Sequence, residues 1–600
     1  MTGNVTHLKQ LLEPEQLAKE IAIMYDDWNN LRAGWLETIK ETRDYIFATD
    51  TTSTTNSKLP WKNKTVVPKI TQLRDNLHAN YMAALFPNDN WLKWEGYTEE
   101  DTVKRKRVAI EAYIENKTRQ GGFKETVSQL IYDYIDTGIV LGSVVYEKDV
   151  VDLPDGNKKI VYQGPKLLRD SPYDTVFNPV ASSFESSPKI TRHIKTLGDL
   201  LKDAQTRPEL GYDAEAIKKA FADREVVASF KPADVNKARG IRIDGFGSMS
   251  EYYKSPYVEI LEFDGDIYDK ESGELLRNYL ITIMDRRLVI RKEANPMWIG
   301  TSNKRMTGWR TRPDNLYAQG PLDNLLGMQY RINHLENLKA DVFDMVAYPV
   351  LKIRGDVEEF DYRPGERIYC AEDGDVDFMH PDVTALQADL QISALEQKME
   401  EFAGAPRQAM GIRTPGEKTA FEVQVLENAA GRIFQEKVLN FERFLEEILN
   451  LMLESARRNL DGNDAVRVLD EDLGVAEFIQ VTREDITATG KLRPMGARHF
   501  AATAQLVQNL VSAASSPIGQ DPAVLAHVSG KELARVMFEE IPGLRRFTLV
   551  RDNIRLFEQA ETARLQQQVQ EDITVEGQVS PEQQPEGMEQ EIPQEGMPIG

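Results

Sequence analysis

Histidine and cysteine, the side chains most often used to activate nucleophiles or bind transition metals, are sparse in this sequence. The seven histidines are His7, His78, His193, His334, His380, His499 and His527. No two stand four apart, and none lies in an H-E-x-x-H setting that would put two imidazoles on one helical face. Cys370 is the one cysteine, so neither an internal disulfide nor a cysteine-based zinc set can form. Its surroundings, RIYCAEDGD, are acidic and disfavour the thiolate a nucleophile needs; it reads as a packing or surface thiol. A G-x-S-x-G nucleophile elbow is absent. The runs DVEEFD (356–361) and EDGDVD (372–377) have the carboxylates to attract a cation, but solvated turns share that composition and are the better reading. The expectation is a protein with no catalytic residues, no metal and no cofactor.

Gly411 to Thr419, GIRTPGEKT, resembles a phosphate-binding loop of the form G-x-x-x-x-G-K-[ST], but Glu417 is inserted before Lys418. The preceding residues read as helix and loop, whereas such a loop follows a strand. A helix start explains the same residues: Thr414 as cap, Pro415 at the first position and Glu417 three after the cap. Arg407, Arg413 and Lys418 surround this start, and a weak contact with a phosphate backbone competes with pairing to acidic neighbours. Trp61, Trp91, Trp94, Trp298 and Trp309 read as packing anchors; PWKNKT and MTGWRTRP also interleave aromatic and basic residues as stacking sites on nucleic acid do.

These residues must be positioned by a long chain. At 600 residues it exceeds one core, so two to four domains are expected. The net charge of −23 excludes a general DNA-coating protein, which would be basic. Apolar runs such as GIVLGSVV (138–145) fall far short of the roughly 18 residues a bilayer span needs, and the N-terminus lacks an apolar signal core.

Periodicity predicts a helix from Pro14 to about Phe47, a second from Pro68 to Phe86, and two more at about 99–119 and 123–137. Residues 138–300 read as an α+β region of antiparallel hairpins with a brief helix near 197–205, followed by a loop rich in Trp, Arg and Gly to about 319. Gly320 and Pro321 then open a helix striped by Leu322, Leu325, Met328, Ile332, Leu335, Leu338, Val342 and Met345, stopping before Pro349. A small β-like insert runs to about Val383. Thr384, with Gln387 three residues on, starts the next helix, striped by Leu386, Leu390, Leu395, Met399 and Phe402. After a loop, 404–418, a long helix runs to about Leu460, roughly 65 Å at 1.5 Å per residue. A β segment (465–482), the turn TATGKLRPMGA, and helices at about 496–514, 529–540 and 549–568 follow. The last thirty residues hold eight acidic and no basic ones and are expected to be disordered.

The order of these elements resembles the portal proteins of tailed bacteriophages, especially short-tailed ones. TVVPKITQLRDNLHANYMAALFPNDNWLKWEG (65–96) looks like their N-terminal helix ending in a Leu-Phe-Pro turn. SPYDTVFNPVASSFESSPKITRHIKTLGDLL (171–201) resembles their strand pair with an Asn-Pro turn. YAQGPLDNLLGMQYRINHLENLKADVFDMVAYPVLKIRG (317–355) resembles the passage ending in the first stem helix, with its Gln329 and Asn333. AGAPRQAMGIRTPGEKTAFEVQVLENAAGRIFQEKVLNFERFLEEIL (403–449) resembles the passage from second stem helix into long wing helix. The likeness covers roughly 10–500 and lies in the order of motifs, each loose alone.

The resemblance implies a mainly α fold with α+β regions: a wing (1–320), stem helices at 321–347 and 384–403, a small α/β clip at 348–383, a channel loop at 404–418, the long wing helix and β return at 419–495, a helical crown at 496–566 and an acidic tail at 567–600. It implies a ring, usually of twelve subunits, at one capsid vertex of the virion, assembled in the host cytoplasm, with no membrane involved. Double-stranded DNA would pass through it during packaging and ejection. Partners would be the major capsid protein, the scaffolding protein, the terminase large subunit and a tail adaptor. Arg407, Arg413 and Lys418 would face the channel, and Glu358, Glu359, Asp361, Arg363 and Glu366 would present the clip to terminase and adaptor. The alternatives are another phage structural protein, such as a tail adaptor or internal ejection protein, and, last, a packaging ATPase.

Overall fold

A computed structural model describes residues 5–8, 13–47, 63, 65–87, 91–98, 104–152, 158–206, 211–222, 257–295, 302–360, 367–379, 387–403, 432–460, 464–470 and 475–496. Strand β1 (Val5–Leu8) precedes α1 (Pro14–Leu31), which Pro14 opens as expected. The single helix expected to reach Phe47 is two, because the chain turns at Arg32 before α2 (Ala33–Phe47). The cause is a buried cation. The Arg32 guanidinium donates to the carbonyls of Pro172 (2.6 Å), Thr175 (2.7 Å) and Tyr173, and to Asn29 Oδ1. Reaching three carbonyls of one loop sets the backbone there. Helix α3 (Lys69–Leu85) lies between Pro68 and Pro87, as the prolines dictate. Strand β2 (Leu92–Gly96) leads to α4 (Lys104–Gln120) and α5 (Phe123–Asp136), joined through Gly122 at φ 66, where a side chain would be strained.

Two sheets follow. Strands β3 (Ile139–Asp152) and β4 (Lys158–Arg169) form a long hairpin. Strands β5 (Thr175–Phe177) and β6 (Lys189–Thr196) precede α6 (Leu197–Thr206) and α7 (Ala214–Ala222). Strands β7 (Tyr257–Asp269), β8 (Leu275–Met284) and β9 (Leu288–Ala294) complete an antiparallel sheet in the order β5-β6-β7-β8-β9. One pairing departs from the all-hairpin expectation: β1 joins β7 in parallel. Alternation covers both sheet faces. Leu261, Phe263, Ile281 and Ile283 pack with Leu17, Ile21 and Tyr25 of α1, while Val258, Ile260 and Met284 pack with Leu200 and Ile217 of α6 and α7. The β8–β9 turn places Asp285 and Arg286 at φ 47 and 59, a conformation normally left to Asn-Gly. It is held by Arg286, which pairs with Glu259 (2.8 Å) and Asp26 (3.0 Å) and ties the turn to α1.

The expected loop ending near 319 is instead three strands, β10 (Lys304–Gly308), β11 (Arg310–Arg312) and β12 (Asn315–Gln319). The missing ladder of β3 supplies the reason: Lys304–Gly308 pairs with Ile139–Ser143. Trp309, expected at a loop, is buried with its indole N–H on Tyr81 Oη at 3.0 Å.

A 3-10 turn, Asp323–Leu325, leads into α8 (Leu326–Ala347), with the Asp323 carboxylate accepting from Gly320 N at 2.9 Å. Leu322, Leu325, Ile332, Leu335 and Val342 are buried as the stripe predicts; Met345 is exposed. Strands β13 (Val350–Arg354) and β14 (Asp375–Met379) pair antiparallel within the expected insert. The expected cap at Thr384 lies outside the described residues; α9 spans Asp389–Phe402. Its expected stripe is only partly inward: Met399 is buried and Leu395 packs against the core, but Leu390 is 83% and Phe402 58% exposed, and Ile392, outside the expected stripe, is buried.

Helix α10 (Arg432–Asn459) is the described part of the long helix; its expected start and Gly431 lie outside. Phe441, Leu445, Ile448, Leu449 and Met452 put it at the centre of the largest core, with α3, α4, α5, β3 and the inner faces of α8 and α9. Strands β15 (Asp464–Asp470) and β16 (Val475–Val481) fulfil the expected β segment. After α11 (Arg483–Ile486), capped by Thr482, the expected turn is a strand, β17 (Gly490–Pro494), paired with β2. The helices expected beyond 496 and the tail at 567–600 lie outside the described residues.

Candidate functional site

The helix–hairpin–helix formed by α8, β13, β14 and α9 is the candidate site, because polar groups hold it to the body while many of its large apolar side chains stay exposed. The hold is a ladder of three amides and a carboxylate. Gln329, Asn333, Asn337 and Asp341 recur every fourth residue and so line one face of α8. Gln329 Oε1 accepts from Ile70 N (3.2 Å) and its Nε2 donates to Val67 O (2.6 Å). Asn333 Oδ1 accepts from Val67 N (3.0 Å). Asn337 accepts from Thr65 N (2.7 Å) and donates to Thr65 O (3.0 Å). Asp341 accepts from Asn63 N (2.9 Å). The extended run before α3 thus finds on a helix the partners a strand would find in a sheet.

Helix α9 is fastened by charge. Glu400 pairs with Lys69 at 2.8 Å, both side chains nearly buried, and Asp389 pairs with Lys339 of α8 at 2.6 Å. Phe343, Met345 and Val346 of α8, Tyr348 just after it, Val350, Ile353, Tyr369 and Met379 around the hairpin, and Leu390 and Phe402 of α9 are exposed. Glu358 and Glu359 are exposed beside them, where Glu358 N donates to Tyr369 O at 3.1 Å. Cys370 is exposed, as a surface thiol would be. Asp361, Arg363 and Glu366, and the basic trio Arg407, Arg413 and Lys418, lie outside the described residues.

Sequence reasoning singled out Gln329 and Asn333 but missed Asn337, Asp341 and the Lys69–Glu400 pair. Gln329 and Asn333 came from the resemblance alone; their spacing of four, continued to Asn337 and Asp341, is the signal that would have found the other two, and nothing local announces the ion pair.

Two clefts elsewhere hold perturbed carboxylates, the usual mark of a reactive site. A cavity of about 260 Å³ contains Asp133, pushed up to about 6 by burial, and Asp136. Each is met by an arginine: Arg169 on Asp133 (2.7 Å) and Arg74 on Asp136 (2.6 Å). In the second cleft burial and the neighbouring Glu185 carboxyl push Glu447 up to about 7, with Arg305 at 3.4 Å. Among the described residues no group of three or more His, Cys, Asp or Glu side chains could hold a metal ion, and no helix is long and apolar enough to cross a membrane. No protein-family model matches the chain, and no curated protein matches it either.

Proposed function

We propose that this chain is the portal subunit of a tailed bacteriophage, a non-enzymatic protein that closes into a ring around the path of the genome. The observation that carries this reading is the helix–hairpin–helix: clamped to the body by polar and charged groups, it turns at least ten large apolar side chains to water. Monomeric proteins rarely leave so many large apolar side chains of one segment uncovered. Copies arranged around an axis would cover them, with α8 and α9 as stem, the hairpin as clip and the acidic remainder repelling a sliding duplex. In this arrangement the loop carrying Arg407, Arg413 and Lys418 meets DNA weakly and without sequence preference. The hairpin around Glu358 and Glu359 meets terminase large subunit and then tail adaptor, and the body meets capsid and scaffolding proteins of the virion.

Imaging and native mass measurement of the purified chain test the reading. A closed ring with a central channel is expected, and a monomer at every salt and protein concentration would overturn it. A nucleotide hydrolysis assay separates the packaging ATPase. A tail adaptor or ejection protein would instead assemble only on a pre-formed ring. Arg407→Glu with Arg413→Glu should leave ring assembly intact and reduce retention of packaged DNA.

A further inference from the structure

We infer that the cavity between α2, α3, α5 and the loop after β4 is a binding site for a small oxyanion of the phosphate type. It lies apart from the helix–hairpin–helix, and the inference goes beyond the ring reading without depending on it.

Four elements bring charge to this cavity. Arg43 comes from α2, Arg74 from α3, Asp133 and Asp136 from α5, and Arg169 from the end of β4. The recess measures about 260 Å³. Recesses with polar walls take guests that can hydrogen-bond to those walls. Three guanidiniums against two carboxylates give the lining an excess of one positive charge, inside a chain of net charge −23. Asp75, 3.6 Å from Arg74, stands outside the lining and its side chain is 61% exposed, so water screens it.

Pairing with the aspartates does not use the guanidiniums up. Arg74 meets Asp136 side-on, donating from Nε (2.6 Å) and Nη2 (2.8 Å). Arg169 meets Asp133 in the same way, from Nε and Nη2. A guanidinium carries five N–H donors, so each keeps both donors of Nη1 and one of Nη2. Among the described residues neither guanidinium makes a further hydrogen bond. Aromatic rings fix the planes. Arg74 lies 4.1 Å from the centroid of Tyr132 and 5.1 Å from that of Phe47, and Arg43 lies 5.7 Å from the Phe47 centroid. A guanidinium stacked on a ring presents its edge, and paired N–H groups along that edge match the oxygens of a phosphate. The aspartates thus orient the arginines, and the arginines are left able to hold an anion.

Calorimetric titration of inorganic phosphate into the full chain, in chloride of matched ionic strength, tests this. One saturable site per chain is expected. Gln129 lines the same cavity yet is exposed on α5, so its charge can be changed without disturbing the core. Gln129→Glu should weaken phosphate binding about tenfold and Gln129→Lys should tighten it about tenfold, the effect of one added charge at a partly screened site. Arg43→Gln should weaken binding as Gln129→Glu does; if that chain melts early, the two Gln129 variants decide alone. A short DNA duplex that phosphate displaces, with the same response to the Gln129 variants, makes a polynucleotide backbone the source of the oxyanion. A duplex that does not compete makes the ligand a free oxyanion, and the site stands in both cases. No saturable phosphate binding, or binding that neither Gln129 variant moves, overturns the inference. Neither result touches the ring reading, which imaging tests.

Discussion

Replacing Asn337 by Ala asks whether hydrogen bonds or apolar packing hold the run before α3 against α8. Asn337 is fully buried and both amide atoms are engaged with Thr65, at 2.7 and 3.0 Å. Each bond contributes about 1 kcal/mol net, so about 2 kcal/mol is lost when both go. Thr65 is exposed, so water can take over its N–H and C=O and no further penalty is added. Two kcal/mol is roughly thirtyfold in a local opening equilibrium. Hydrogen–deuterium exchange of a peptide covering 65–70 should therefore quicken about thirtyfold. Asn324→Ala, an exposed change just before α8, should leave that peptide unchanged. If Asn337→Ala also leaves it unchanged, the ladder does not hold the segment and the reasoning fails.

Three further outcomes are expected. Glu400→Ala strands the buried Lys69 ammonium and should destabilise the docking of α9 by about 3 kcal/mol, whereas Glu400→Leu with Lys69→Met should recover most of it; a denaturant double-mutant cycle reads the difference. Arg32→Met leaves the carbonyls of Pro172, Tyr173 and Thr175 without their donor and should cost about 3 kcal/mol, seen as a lower urea midpoint. Glu447 has its folded pKa raised to about 7, so its contribution to stability is full below the unfolded value near 4.5 and is lost as pH rises through 7. Thermal melts should show the unaltered chain losing ground to Glu447→Gln between pH 5 and pH 8; parallel curves would remove Glu447 from the account.

The sequence was most legible where proline punctuates it. Pro14, Pro68, Pro87 and Pro349 bound helices within a residue or two of their observed ends, since a residue without an N–H cannot continue a helix. The apolar stripe located α8 because buried faces repeat at helical spacing. Pairings between distant segments were hidden. Gly490 and Pro494 read locally as turn residues, and only the open edge of Leu92–Gly96 makes them a strand. Residues 304–319 have loop composition, yet β3 gives them a ladder. The break at Arg32 depends on carbonyls some 140 residues away, beyond any local pattern. Of the candidate site, the helices, the insert and two rungs of the ladder were visible. The exposure of its apolar side chains was not, because an exposed Leu390 and a buried Ile392 look alike in sequence.

The pairing of β2 with β17 has a consequence for how the chain is made. Trp94 and Leu492 share one core, yet about 400 residues of synthesis separate them. At 5–20 residues per second the N-terminal helices wait roughly 20–80 s on the ribosome before their last strand arrives. During that time Leu92, Trp94 and the inner faces of α3 and α4 lack their covering. Fragments that stop before Gly490 should therefore be captured by chaperones, and subunits become competent to join one another only after the C-terminal third has been translated.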